Sequence, residues 1–224
     1  MIIDLTMTLR EGIMTFPVHW HPVVEITQLG RFHVEGRESR KIVMGTHTGT
    51  HVDAPRHFVP DGKTIEKTDP EIYYGPARVL DFSDLPDKSE VTLAMIKERI
   101  GANFPMRLLF RYDWDKRLNN LEYYSHHPYL SEEACEWLVA QGVKLIGTDA
   151  PMPDDPRNGR GSEKDSPNHT ILLGNGVAIL EYLVNLAIIP PGDFILSALP
   201  LPIDGGDGSP VRAVAIIEDG EAEK

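Results

Sequence analysis

The chain has one cysteine, Cys135, among its 224 residues. That excludes an intramolecular disulfide and argues against a purely structural zinc site, which is normally closed by four protein ligands and often by cysteines. Cys135 falls on a helical pattern, where a small core residue is expected. Basic residues are also few: 22 Lys and Arg stand against 34 Asp and Glu, giving a net charge of −12 and a pI near 5.1. No Lys/Arg cluster is large enough to follow a phosphate backbone, so nucleic acid is not an expected partner. No apolar run reaches the length of a membrane span, and Met1-Ile2-Ile3-Asp4 lacks a basic region followed by an apolar core. A cytoplasmic protein with no membrane partner is the expectation. Internal repeats and low-complexity blocks are absent.

What is present describes one globular domain over residues 1–224, with 41% hydrophobic and 25% charged residues. Runs rich in β-branched and aromatic residues predict strands at 23–27, 41–46, 77–82, 107–112, 143–146, 194–198 and 211–218. Thr92 is placed to cap a helix through Ile100 that Gly101 closes, and Ser131 to start another that ends at Gly142. Each helix is followed after a few residues by an apolar run, as expected when helices pack on a sheet. With 18 prolines and 19 glycines, much of the remainder is ordered loop. The expected fold is a β-rich α/β domain. The charged tail 218–224 is expected to fray.

The chemistry concentrates between residues 47 and 57, His47-Thr48-Gly49-Thr50-His51-Val52-Asp53-Ala54-Pro55-Arg56-His57, which holds three of the nine histidines. In an extended chain His47, Gly49, His51 and Asp53 share one face while Thr48, Thr50 and Val52 share the other, and Gly49 leaves room between its neighbours. A helix would also bring His47 and His51 together, but the residues between them are mediocre helix formers and Pro55 cannot sit inside a continuing helix. Strand or loop is therefore preferred. Two imidazoles and one carboxylate suit zinc, manganese or ferrous iron with coordination positions left open. His57, beyond the stiff Ala-Pro step, can sit beside an ion without binding it. Further along, Ser166-Pro167-Asn168-His169 is a loop by composition. Glu181 is the lone charge in the stretch 170–191, costly there unless paired, hydrogen-bonded or metal-bound.

The His-Thr-Gly-Thr-His-x-Asp-x-Pro-x-His run resembles the signature of the cyclase family of metal-dependent hydrolases, of the kynurenine formamidase (arylformamidase) and isatin hydrolase type. The likeness extends through Ile3-Asp4-Leu5-Thr6, Ile146-Gly147-Thr148-Asp149, His169 to Glu181, Leu199-Pro200-Leu201 and Pro210-Val211-Arg212-Ala213-Val214. The resemblance implies a swivelling β/β/α cyclase-like fold and a homodimer or homotetramer. It implies that His47, His51 and Asp53 hold a first divalent ion, zinc or manganese. Asp53 would bridge to a second ion completed by His169 and Glu181, with one or two ions per chain and His57 as catalytic acid/base. The implied activity is hydrolysis of a small amide by metal-activated water, either N-formylkynurenine to kynurenine and formate, a step of tryptophan catabolism, or opening of a cyclic amide or imide.

In the segment Thr15 to His21, Pro17 is followed by Val18-His19 where formamidases carry Gly-Asp, so the substrate is the least determined feature. Phe16 and Trp20 are expected to stack on an aromatic substrate, and His19 and His21 to meet its polar groups. Asp149 either supports the ions from behind or caps a turn. His126 and His127 are read as structural or as pocket rim. The competing reading is a mononuclear non-haem iron oxygenase using the two-His, one-carboxylate set, which leaves His57, His169 and Glu181 without a task.

Overall fold

Three apolar runs set the centre of the fold: Arg107–Arg111, Leu145–Thr148 and Ala178–Glu181, nearly all buried. Strands buried on both faces read as continuous hydrophobic runs. In the computed structural model, which describes residues 1–217, these three lie side by side and parallel. Tyr74–Asp81 joins parallel to Arg107–Arg111. Antiparallel strands complete a nine-stranded sheet. Asp193–Ser197, Val214–Ile216 and Ile2–Asp4 extend it beyond Tyr74–Asp81, while His51–Asp53 and then Gly208–Pro210 extend it beyond Ala178–Glu181.

Side-chain alternation sends neighbouring residues into two cores. Leu108, Phe110, Ile146 and Ile179 face the helices Leu93–Ile100, Glu132–Ala140 and Pro167–Gly174. Leu109, Leu145 and Leu180 face the opposite side, where they meet Val52, Leu196 and Ala215 from antiparallel strands of the same sheet. The result is the β-rich α/β single domain that the sequence implies. Cys135 is buried in the helical core with its thiol free.

The two expected helix caps form: Thr92 accepts from the Met95 amide and Ser131 from the Ala134 amide. Five predicted strands match within a few residues. The other two shift: Glu25–Gly30 and Ser39–Val43 form a hairpin separate from the main sheet, because they pair with each other and with no core strand. The main correction is at 166–169. Pro167 opens a helix running to Gly174, since proline is well placed in the first helical turn, where its missing N–H costs nothing. The tail 218–224 lies outside the described residues.

Candidate metal centre

His51–Asp53 is a three-residue strand held on both edges. Register sets Glu181 opposite His51 and puts Ile179 and Gly208 on either side of Asp53. Val52 enters the far core, so His51, Asp53 and Glu181 share the helical face, as alternation requires. Glu181 ends a parallel strand at its carboxyl edge, where open α/β sheets collect ligands.

His47 arrives differently from the extended-chain expectation. Residues 46–50 form a turn followed by a bend, and Gly49 adopts φ +63, where a Cβ would meet Leu9 Cδ2 at 2.9 Å. Gly49 therefore serves the turn and its contact with Leu9 rather than leaving space for an ion. Room for His47 is made elsewhere: a Cβ on Gly208 would lie 2.8 Å from His47 Cε1 and 2.8 Å from Val52 O. His57 follows in the 3-10 turn Pro55–His57 and stacks on His47 with ring centroids 3.8 Å apart. His169 comes from the first turn of the helix Pro167–Gly174.

The groups converge. His47 Nδ1 is 2.7 Å from Asp53 Oδ1, and His51 Nε2 is 3.3 Å from the same oxygen and 3.4 Å from Glu181 Oε2. His169 Nε2 is 3.5 Å from Asp53 Oδ2 and 3.3 Å from Glu181 Oε1. Among the described residues two sets have the spacing to hold an ion, His47 with Asp53 and His57, and His51 with Asp53 and Glu181, so Asp53 belongs to both. The fit is supported by three buried atoms without a hydrogen bond, His51 Nε2, Asp53 Oδ2 and Glu181 Oε1. Buried polar atoms are normally paired, and three unpaired ones on neighbouring side chains match a cation held among them.

Electrostatics agree with a crowded acid–imidazole cluster. Burial opposes charge on His47, but Asp53 and Asp207 outweigh it and raise its pKa to about 10. Burial likewise works against the His169 cation, yet Asp154, Asp53 and Glu181 hold its pKa well above the ordinary value. Burial, reinforced by Asp53, raises Glu181. Burial would raise Asp53 too, but His47 and His169 pull it well below the usual range. His57 is lowered, mainly by burial. Burial and the neighbouring imidazoles bring His21 down to about 4.

Two contributors were not visible in the sequence reading. Asp207 lies 3.0 Å from His47 Nε2 and 3.6 Å from His57 Nδ1 and accepts from Thr46 Oγ1. Its only local signal is a carboxylate set among glycines, Gly205-Gly206-Asp207-Gly208. Asp154 accepts from His169 Nδ1 at 2.5 Å. Other expectations sort cleanly. Asp149 is buried away from the cluster, accepting the Tyr112 and Trp114 amides, so it fastens a turn. His127 is buried against the Pro128 carbonyl and His126 meets Ser125; neither lines the cavity.

That cavity, about 220 Å³, is floored by His47, His51, His57, His169 and Glu181. Its walls include Phe16, Trp20, His21, Phe58, Tyr124 and Tyr182. Phe16 meets Tyr124 edge-on at 5.6 Å, and the Arg160 guanidinium sits 5.0 Å from the Trp20 ring. Both expected substrate residues thus reach the cavity. His19 does not line it and packs edge-on against Trp20 at 4.7 Å.

Fold and site together define a class: a single-domain α/β protein with a buried His–carboxylate centre suited to divalent metal, opening into an aromatic pocket. The family model named Cyclase matches residues 3–155. The chain is 38% identical over 212 residues to a kynurenine formamidase of Bacillus mycoides (strain KBAB4), covering 95% of each chain. It is 36% identical to a kynurenine formamidase of Geobacillus thermodenitrificans (strain NG80-2), covering 94% of this chain and 95% of that one. Isatin hydrolase A from Labrenzia aggregata superposes with a TM-score of 0.86 at 30% identity, covering 97% of this chain and 94% of its own. This chain belongs to the cyclase family.

Proposed function

We propose that the protein is a metal-dependent hydrolase of small amides, acting on C–N bonds other than peptide bonds. Its preferred substrate is an N-formyl aromatic amine such as N-formylkynurenine, with cyclic amides or imides as the related alternative. The observation that carries this reading is the convergence of His51 Nε2, Asp53 Oδ2 and Glu181 Oε1, buried and unpaired, beneath an aromatic cavity. The relatives named kynurenine formamidase and isatin hydrolase support the amide class.

In this reading His47, His51 and Asp53 would hold one ion and Asp53, His169 and Glu181 a second, zinc or manganese in either site, a partition that differs from the spacing alone, which groups His47 with Asp53 and His57, and His51 with Asp53 and Glu181. A divalent ion supplies the nucleophile by lowering the pKa of its water from about 15.7 toward about 7, and it polarises the substrate carbonyl. The chain's own residues do the rest. His57 reaches the cavity and its lowered pKa keeps it neutral at pH 7, ready to accept a proton and pass it to the departing nitrogen. Asp207, 3.6 Å from His57 Nδ1, places a carboxylate beside that imidazole, which favours Nε2 as the nitrogen that exchanges protons. Phe16, Phe58 and Tyr124 offer flat apolar walls to an aryl ring, with Trp20 at the half-exposed edge.

Asp53 is shared between two candidate ion sets, one of them containing Glu181, and this favours the reading over a mononuclear iron oxygenase, which needs a single set. We further read the protein as a cytoplasmic homodimer or homotetramer. No described helix is long and apolar enough to cross a membrane, and the hairpin region exposes Leu29, Phe32, Val34 and Ile42, apolar surface suited to a second copy. The deciding experiment assays zinc- or manganese-loaded protein without oxygen against N-formylkynurenine, isatin and simple cyclic amides while counting metal per chain. Hydrolysis of at least one is expected. A metal-loaded chain inert to all of them, or one active only with ferrous iron and oxygen, overturns the proposal.

A further inference from the structure

Asp154 is completely buried and forms no ion pair with Lys or Arg among the described residues. A carboxylate in that setting is costly unless N–H donors surround it. The donors are all from one place: the Asn168 amide at 2.6 Å, the His169 amide at 3.2 Å and His169 Nδ1 at 2.5 Å. The helix Pro167–Gly174 has no cap of its own, since Ser166 sits at φ 46, ψ 58 and its side chain caps nothing. Asp154 takes that task from the preceding loop. A carboxylate only accepts, so Nδ1 of His169 must donate. In the neutral ring the lone pair then lies on Nε2, which faces Asp53 Oδ2 and Glu181 Oε1.

We infer that Asp154 is a positioning residue for His169, fixing through one carboxylate both the start of the helix and the tautomer that turns Nε2 into the metal centre. The inference rests on the reading of His169, Asp53 and Glu181 as an ion site. It also ties that centre to the substrate wall, because Met152, Asp155 and Pro156 on either side of Asp154 line the cavity.

A mere helix cap would give stability without touching metal affinity through His169, and a double-mutant cycle separates the two. Wild type, Asp154→Asn, His169→Gln and the double variant are compared for zinc per chain, zinc affinity against a chromophoric competitor, and thermal midpoint. Asp154→Asn is expected to weaken the zinc held through His169 by about 10- to 100-fold. In the His169→Gln background the same change should weaken zinc no further, although the midpoint falls in both. Wild-type zinc affinity in Asp154→Asn, or an equal loss with and without His169, overturns the inference alone. A wild-type chain that holds no zinc overturns the ion-site reading and this inference with it. Should Asp154→Asn not fold, imidazole 15N–1H spectra of the zinc-loaded wild type decide: a proton on His169 Nδ1 supports the assignment, and one on Nε2 refutes it.

Discussion

His57 stacks on His47 at 3.8 Å and sits 3.6 Å from an Asp207 oxygen, and Asp207 is also held by His47 and Thr46. Removing the imidazole in His57→Ala should lower kcat by about 10²- to 10⁴-fold, the usual worth of general acid–base catalysis. Zinc per chain should stay unchanged. A variant with full turnover, or one that loses its metal, would take His57 out of the acid/base role. His127 makes a different kind of prediction. Burial holds its pKa at about 4, below the ordinary 6.5, and its Nε2 has no partner. Between pH 6.5 and 4 the unfolded chain takes up a proton there that the folded chain refuses, so folding stability is intact above about 6.5 and falls as pH drops. The full loss is about 3 kcal/mol, from a shift of this size. Denaturant titrations of wild type and His127→Phe across that window should show a shallower acid decline in the variant; parallel curves would refute the assignment. Residues of this scale were legible where chemistry and spacing coincide, as in His47 to His57. Asp207 and Asp154 were not, because each acts on a histidine far along the chain and carries no local pattern that says so.

The elements around the site were read unevenly, for physical reasons. The helices capped by Thr92 and Ser131 announce themselves locally, and the central strands do so by continuous apolar runs. His51–Asp53 is only three residues long and exists because Ala178–Glu181 and Gly208–Pro210 clasp it from both sides, a non-local cause that no window of sequence displays. The start of the helix Pro167–Gly174 was hidden for a similar reason: its cap comes from Asp154 in an earlier loop. The strand Gly208–Pro210 offers a direct test of element geometry. A methyl at Gly208 would approach both His47 Cε1 and the Val52 carbonyl to 2.8 Å, well inside contact distance, and the carbonyl cannot move without disturbing the Val52–Ser209 pairing. Gly208→Ala should therefore cost about 1–3 kcal/mol, the usual penalty of overpacking, and weaken the ion that His47 helps to hold. Unchanged unfolding and metal affinity would show that the edge strand yields more easily than its packing indicates.

At the scale of the whole molecule, an ion at this centre competes with protons for the same imidazoles. His47, with its pKa raised to about 10, is protonated at pH 7.5 against Asp53 and Asp207, and the carboxylates around His169 raise its pKa as well. Because their folded pKa values lie above the unfolded 6.5, the stability these two give the metal-free chain is present below about pH 6.5. It is lost as pH rises through the folded values, about 10 for His47. An ion needs its imidazole ligands neutral, so zinc must displace protons at pH 7.5, the one on His47 among them. Calorimetric titrations in buffers of different ionisation enthalpy should differ in apparent enthalpy, reporting proton release, and apparent zinc affinity should climb with pH. Binding to the folded chain alone also stabilises it, by about 4 kcal/mol at a free zinc concentration 1,000 times Kd. For a chain of this size that raises Tm by roughly 8–16 °C. A chelator should reverse the shift. Zinc titrations that release no protons and leave the midpoint where it was would mean that the orphaned atoms of His51, Asp53 and Glu181 answer to something other than a divalent cation.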